Sequence, residues 1–346
     1  MSDTEPQDLF SQQQANRRRS RWLVTSFVLF FAWLGLGGDW IAWMLTRDLP
    51  PEQYHHQFPV LGTALFAIAF GLIAYIKKTG SSKVLWSTGA RRLDAPRDDN
   101  ERMLVNVVEE MSIAAGIAMP TVWLVEDPDP NAFATGTDPT RSHIAVTTGL
   151  LAMCSRDELQ GVIGHEMGHV KNLDMQLMTM VAGLVGAIAL ISDGLGRGLR
   201  HGFGGRRSGG RGGRSGKSNL GPLIAVVIVL WLVSWILAPI ITRLMAVGIS
   251  RRREYLADSM SAQFTRNPLG LASALEKIEG AHGPTSSIKG GVAHLCISDP
   301  LGRKLSSREG FVADLLATHP PMSLRVARLK AMGYQAQKAA GNFQPS

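Results

Sequence analysis

Four uncharged apolar runs decide what this chain can become: 22–38, 58–76, 175–192 and 218–242. A run of this kind closes its backbone hydrogen bonds as a helix, and about 20 residues suffice to cross a bilayer. The first run stays apolar past Asp39 to about Met44 and carries tryptophans near both ends. These runs explain why only 18% of the chain is charged while 45% is hydrophobic; average soluble domains hold about 25% charged residues. Membrane is therefore the first class to test.

A cleaved leader is the competing reading of the first run, weakened by the run's length and the lack of a small-residue exit. The connection 45–57 holds one basic residue, Arg47, whereas Lys77, Lys78, Lys83, Arg91 and Arg92 follow the second run. Excess Lys and Arg on cytoplasmic flanks predicts a transmembrane hairpin, 22–76, with the N-terminus and residue 77 onward inside. The preceding tail, 1–21, is polar and ends in Arg17, Arg18, Arg19 and Arg21, and is expected to be disordered. The net charge of +8 is almost all in one loop: 196–217 has six arginines, one lysine, ten glycines and no acid. Such a loop reads as a solvated linker or a contact for anionic headgroups, and the high pI does not make this a nucleic-acid-binding chain. Cys154 and Cys296 are far apart and suggest no disulfide framework.

Between the hairpins, 98–117 places Leu104, Val107, Val108 and Met111 on one helical face. Two β-rich runs, 121–125 and 142–148, flank a turn-rich stretch. Ser155 and Glu158 have the spacing of a capping box and announce a helix through Val162, His165, Glu166 and His169.

On that helix His165 and His169 lie one turn apart and can grip one Zn2+ through two imidazoles. Glu166 is rotated about 100° away. It is placed to take a proton from water activated by the metal. A third ligand must come from elsewhere. In "SRRREYLAD", 250–258, Glu254 and Asp258 again share one helical face. Glu254 on the metal and Asp258 hydrogen-bonded to a ligand histidine would complete the centre; an exposed acidic pair behind three arginines is the plainer alternative. Topology favours the metal, because His169 precedes the third run and Glu254 follows the fourth. Whether that pair spans or not, both ends return to one membrane face. A hairpin that dips without spanning, with a cytoplasmic loop, avoids translocating seven uncompensated cations.

The motifs "GHEMGHVKNLD", "NAFATG", "SRRREYLAD" and "THPP", in this order, resemble the HtpX-type membrane zinc metalloproteases, relatives of the CAAX prenyl endopeptidases. The resemblance covers about residues 20–335. It implies a gluzincin endopeptidase with one Zn2+ on His165, His169 and Glu254, and Glu166 as catalytic acid/base. "EYLAD" resembles the thermolysin-like E-x-x-x-D helix, which gives Asp258 the role of supporting a ligand. By the same analogy Asn131, Ala132 and Phe133 form an edge strand for an extended substrate, against the alternative of a plain turn. His319, before Pro320 and Pro321, is a candidate for transition-state stabilisation, against capping or packing.

The expected architecture is a mainly α membrane protein: an N-terminal hairpin plus an α+β zincin-like domain. The parts of that domain, 77–174 and 243–335, are separated by an apolar hairpin, 175–242, and followed by a tail, 336–346. The implied role is quality control of membrane proteins at the cytoplasmic face of a bacterial inner membrane, with membrane-protein or unfolded polypeptides as substrates. A CAAX-type processing protease and a catalytically silent zinc-binding scaffold are the alternatives.

Overall fold

The structure is a computed structural model that describes residues 9–47, 58–180, 251–281, 295–297 and 320–339. Most of the 175–242 hairpin, its Gly/Arg-rich loop and His319 lie outside the described residues. By their contacts the described residues fall into two compact units, 21–76 and the remainder.

The first unit is formed by parts of two helices, α1 (Leu9–Thr46) and α2 (Val60–Ser87). Val24–Met44 and Val60–Ser87 are long and apolar enough to cross a membrane, with mean hydropathies of 1.5 and 2.0. One carboxylate sits within this apolar pair, and it has a reason. Asp39 accepts the N–H groups of Leu61 at 3.0 Å and Gly62 at 2.7 Å, two of the first-turn donors that α2 cannot satisfy itself. The approach needs glycine, since a Cβ on Gly35 would lie 2.6 Å from Gly62 Cα. Helix α1 also starts earlier than the sequence predicts, because 9–21 is helical and not a disordered tail. Leu, Gln, Ala and Arg are good helix formers, and extending a helix already nucleated costs little.

The second unit is a small mixed sheet backed by helices. Strands β1 (Arg91–Arg92), β2 (Thr121–Val125), β3 (Ala132–Gly136) and β4 (Ser142–Thr147) lie in the order β1-β2-β4-β3. The β2–β4 pair is parallel and the two outer pairs are antiparallel. Helix α3 (Asp99–Ala115) is capped by Asp98 and ended by Gly116 at φ 66°. It buries Leu104, Val107, Val108 and Met111 as its 3.6-residue period demands. After the short α4 (Thr148–Met153) comes α5 (Arg156–Lys171), opened by the expected reciprocal box. Ser155 N–H donates to Glu158 Oε2 at 2.8 Å and Glu158 N–H to Ser155 Oγ at 3.4 Å.

Further helices of the unit include α6 (Arg251–Thr265), α7 (Pro268–Gly280) and α8 (Met322–Ala339). Helix α5 is the axis of the core, carrying the buried Leu159, Val162, Ile163, Met167 and Val170. Its glycines let neighbouring backbones come close. A Cβ on Gly161 would meet Leu271 N at 2.6 Å, and one on Gly168 would meet Ala257 Cα at 3.1 Å. Ser261 Oγ seals the α5–α6 contact by donating to Gly161 O at 2.6 Å. This close approach lets side chains from α5 and α6 reach one point.

Candidate metal centre

His165 and His169 project from successive turns of α5 with their Nε2 atoms 3.2 Å apart. Glu254, from the first turn of α6, brings Oε2 to 3.7 Å from His165 Nε2 and Oε1 to 3.5 Å from His169 Nε2. One ligand atom from each of the three residues lies within 4.8 Å of the others, a group able to hold a metal ion.

Each histidine is fixed from behind by a carboxylate. Asp258 Oδ1 lies 2.9 Å from His165 Nδ1, and Asp174 Oδ2 lies 3.1 Å from His169 Nδ1. A carboxylate on Nδ1 places the ring proton there and bares the Nε2 lone pair. Two bare lone pairs facing each other across 3.2 Å repel unless a cation or proton lies between them. The spacings also suit a cation. A tetrahedral zinc with bonds of about 2.0 Å has ligand-to-ligand edges of roughly 3.3 Å.

Burial lowers His165 to about 4, helped by the Arg325 charge. Burial acts the same way on His169, but the Asp174 hydrogen bond and the Glu254 charge raise it to about 9. Without a metal, the pair therefore holds its proton on His169.

Glu166 lies in the same cavity as the three ligand candidates, together with Ala134, Met175 and Cys296. The Ala134 N–H bonds its carboxylate, while Oε2 is buried with no partner among the described residues. Burial, with Glu254 adding to it, raises Glu166 to about 7. A carboxyl group titrating there can both accept and return a proton near neutral pH.

The model of peptidase family M48 matches residues 98–333, which include every one of these side chains. The chain belongs to peptidase family M48. A "Protease HtpX homolog" from Caldanaerobacter subterraneus is 38% identical over 327 residues, covering 94% of this chain and 98% of the relative. Another from Tropheryma whipplei is 45% identical over 271 residues, covering 78% and 84%. The crystal structure of Ste24p from S. mikatae matches with a TM-score of 0.43 and 17% identity, over 89% of this chain and 66% of that one. The chain is thus an HtpX-type M48 metallopeptidase carrying two helices of membrane-spanning length.

In this M48 peptidase β3 stands at the sheet edge, but that edge is already occupied. Ile297 N–H donates to Ala132 O at 2.9 Å, and Cys296 forms an antiparallel bridge with Phe133. Further along, Gly136 N–H donates to Thr179 Oγ1 at 3.2 Å. Asn131, Ala132 and Phe133 are all buried. The stretch that reads as turn-rich contains a strand because its small residues fit a covered edge.

Arg325 is the residue the sequence reading missed. It is fully buried on α8 and grips Asp258 with both arms, Nη2 to Oδ1 at 2.7 Å and Nε to Oδ2 at 3.0 Å. Its Nη1 donates to Ile297 O at 3.3 Å and lies 3.6 Å from Glu254 Oε2. Against burial, which raises it, the Arg325 charge and the His165 hydrogen bond hold Asp258 at about 2. A signal was present: Arg325 falls in the apolar stripe Met322, Val326, Leu329, where a lone arginine needs a buried acid.

Proposed function

We propose that this M48 metallopeptidase is a membrane-bound, zinc-dependent endopeptidase. Its ligands are His165, His169 and Glu254, its general acid/base is Glu166, and Asp258 orients His165. The observation that carries this reading is the convergence of the three ligand atoms within 4.8 Å, beside a buried carboxylate with an oxygen unpartnered among the described residues.

Zinc, when bound, supplies Lewis acidity and lowers the pKa of water toward about 7. The protein's own residues do the rest. Glu166, anchored through the Ala134 N–H, accepts the proton of the attacking water and passes it to the leaving amine. Three protein ligands leave a position open to reactants, as catalytic zinc sites require and closed structural sites do not. This favours an enzyme over a silent scaffold. An extended substrate pairs with β3 at Asn131, Ala132 and Phe133, displacing residues 295–297 from that edge. Two helices long and apolar enough to cross a membrane support a bilayer-bound enzyme. The Lys and Arg that follow the second apolar run support a cytoplasmic active site at a bacterial inner membrane, and membrane-protein or unfolded polypeptides cleaved in quality control are the substrates this reading assigns.

Glu166→Gln tests the chemistry separately from the metal. The variant should keep stoichiometric zinc and its fold but cleave casein slower by several orders of magnitude, while Glu254→Ala loses most of its zinc. Full proteolysis by Glu166→Gln, or wild-type zinc affinity in Glu254→Ala, overturns the assignment.

A further inference from the structure

Behind the Asp174 carboxylate that backs His169 stands a buried arginine, Arg253, with no place in the chemistry above. Helix α5 stops at Asn172, whose N–H still reaches Gly168 O at 3.0 Å. The next residue, Leu173, adopts φ 62°. That is left-handed backbone, which costs an L-residue with a Cβ about 1–2 kcal/mol and usually falls to glycine at a helix end. Leu173 offsets part of that cost by burying its side chain. Asp174 follows at once and opens a further helical stretch, 174–180.

The Asp174 carboxylate is divided between two partners. Oδ2 lies 3.1 Å from His169 Nδ1, and Oδ1 accepts from Arg253 Nη1 at 3.3 Å. Both side chains of this ion pair are almost wholly buried, at 3% and 2% exposure. Arg253 directly precedes the ligand candidate Glu254 in the first turn of α6. One turn of α6 therefore offers a ligand to the metal and a cation to the carboxylate behind a second ligand. The arrangement repeats on the other side, where Asp258 backs His165 and Arg325 holds Asp258. A plain helix-end role for Asp174 leaves the division of its oxygens between a ligand histidine and a buried arginine unaccounted for.

We propose that Asp174 and Arg253 are positioning residues of the metal centre: Asp174 accepts the Nδ1–H of His169, and Arg253 holds Asp174 so that His169 Nε2 faces the cation. This rests on the ligand assignment above. It gives the centre two arginine–aspartate supports, one behind each histidine. It also gives the strained turn at Leu173 a purpose, because a right-handed residue there would carry Asp174 away from the ring.

The test uses purified full-length protein and reads zinc affinity by chelator competition together with the visible spectrum of the cobalt-substituted form. Asp174→Ala should weaken zinc binding by about 10–100-fold and alter the cobalt spectrum, as loss of a ligand-orienting carboxylate does. Asp174→Asn keeps the size but faces its amide NH2 toward either the Arg253 guanidinium or the ring N–H, so it should bind zinc more weakly than wild type. Removing that guanidinium frees the amide to turn its oxygen to His169. Asp174→Asn with Arg253→Met should therefore bind zinc more tightly than Asp174→Asn alone, whereas a purely structural pair would lose affinity additively. If Asp174→Ala does not fold, the comparison of the Asn single and double variants decides. Wild-type affinity and spectrum in Asp174→Ala, or additive loss in the double variant, overturns the proposal when Glu254→Ala has lost its metal. Retention of metal by Glu254→Ala would instead show that the ligand assignment beneath it is wrong.

Discussion

Replacing Arg325 with Met should unfold this protein more readily than any surface change, and the size of the loss can be worked out. The methionine keeps much of the buried aliphatic length, so the cavity contribution is small. What disappears is a guanidinium that donates to both Asp258 oxygens, at 2.7 and 3.0 Å, and to Ile297 O at 3.3 Å. Among the described residues, Asp258 is then left buried with His165 as its remaining side-chain partner. Breaking a buried pair from one side costs about 3–5 kcal/mol. The Asp258 carboxyl gives a second gauge. Its fall from 3.8 to about 2 corresponds to roughly 2 kcal/mol of differential interaction, shared between Arg325 and His165. A loss of about 4 kcal/mol is expected, or roughly 10 °C in Tm for a domain of this size. The assay is thermal unfolding of chelator-treated protein in detergent, followed by circular dichroism. The drop should shrink when zinc is saturating, because the metal then offsets the charge of Glu254 beside the empty place. Arg325→Lys keeps the charge but not the two-armed grip, and should recover about half of the stability. A Tm for Arg325→Met within about 2 °C of wild type in the metal-free protein would refute the reasoning.

Two further outcomes follow from other parts of the fold. Burial raises the Glu158 carboxyl, but Lys277 at 2.6 Å, Ser273 at 2.5 Å and the Ser155 N–H at 2.8 Å bring it down to about 2. A depressed folded pKa contributes stability above the unfolded value and loses it as pH falls through the folded one. Glu158→Gln should thus cost about 2 kcal/mol at pH 7, discounted for the half-exposed Lys277. The gap in metal-free unfolding should close between pH 4.5 and about 2; a constant gap there would contradict the assignment. At the sheet edge, Phe133→Cys in a Cys154→Ala background sets a thiol opposite Cys296, at a strand pairing whose Cα spacing accepts a disulfide. The oxidised protein should keep its zinc but cleave casein several-fold slower than the same sample after reduction, and equal rates would mean that substrate does not displace 295–297.

The candidate site residues were legible because helical periodicity is local. His165 and His169 must share a face whatever surrounds them, as must Glu254 and Asp258, and Ser155 with Glu158 must start a helix. The apolar runs were equally plain, since length and composition alone make Val24–Met44 and Val60–Ser87 long and apolar enough to cross a membrane. The early start of α1 was not, because the Arg/Gln-rich stretch before it resembles a tail until a neighbouring helix extends through it.

What only tertiary structure decided is which distant charges meet. Arg325 and Asp258 stand 67 positions apart, and Arg253 and Asp174 stand 79 apart. Nothing in their local sequence pairs them, and read alone Arg253 is one of three arginines on a polar turn. Their partners are chosen by the close approach of α5 to α6 and α7, which depends on Gly161 and Gly168 lacking side chains. Likewise the filling of the β3 edge by residues 295–297 comes from a segment 163 positions further along, beyond the reach of any local pattern. Periodicity can say which side chains face the same way. Only the packing of one backbone against another says what they face, because burial makes each charge depend on a partner supplied from elsewhere in the chain.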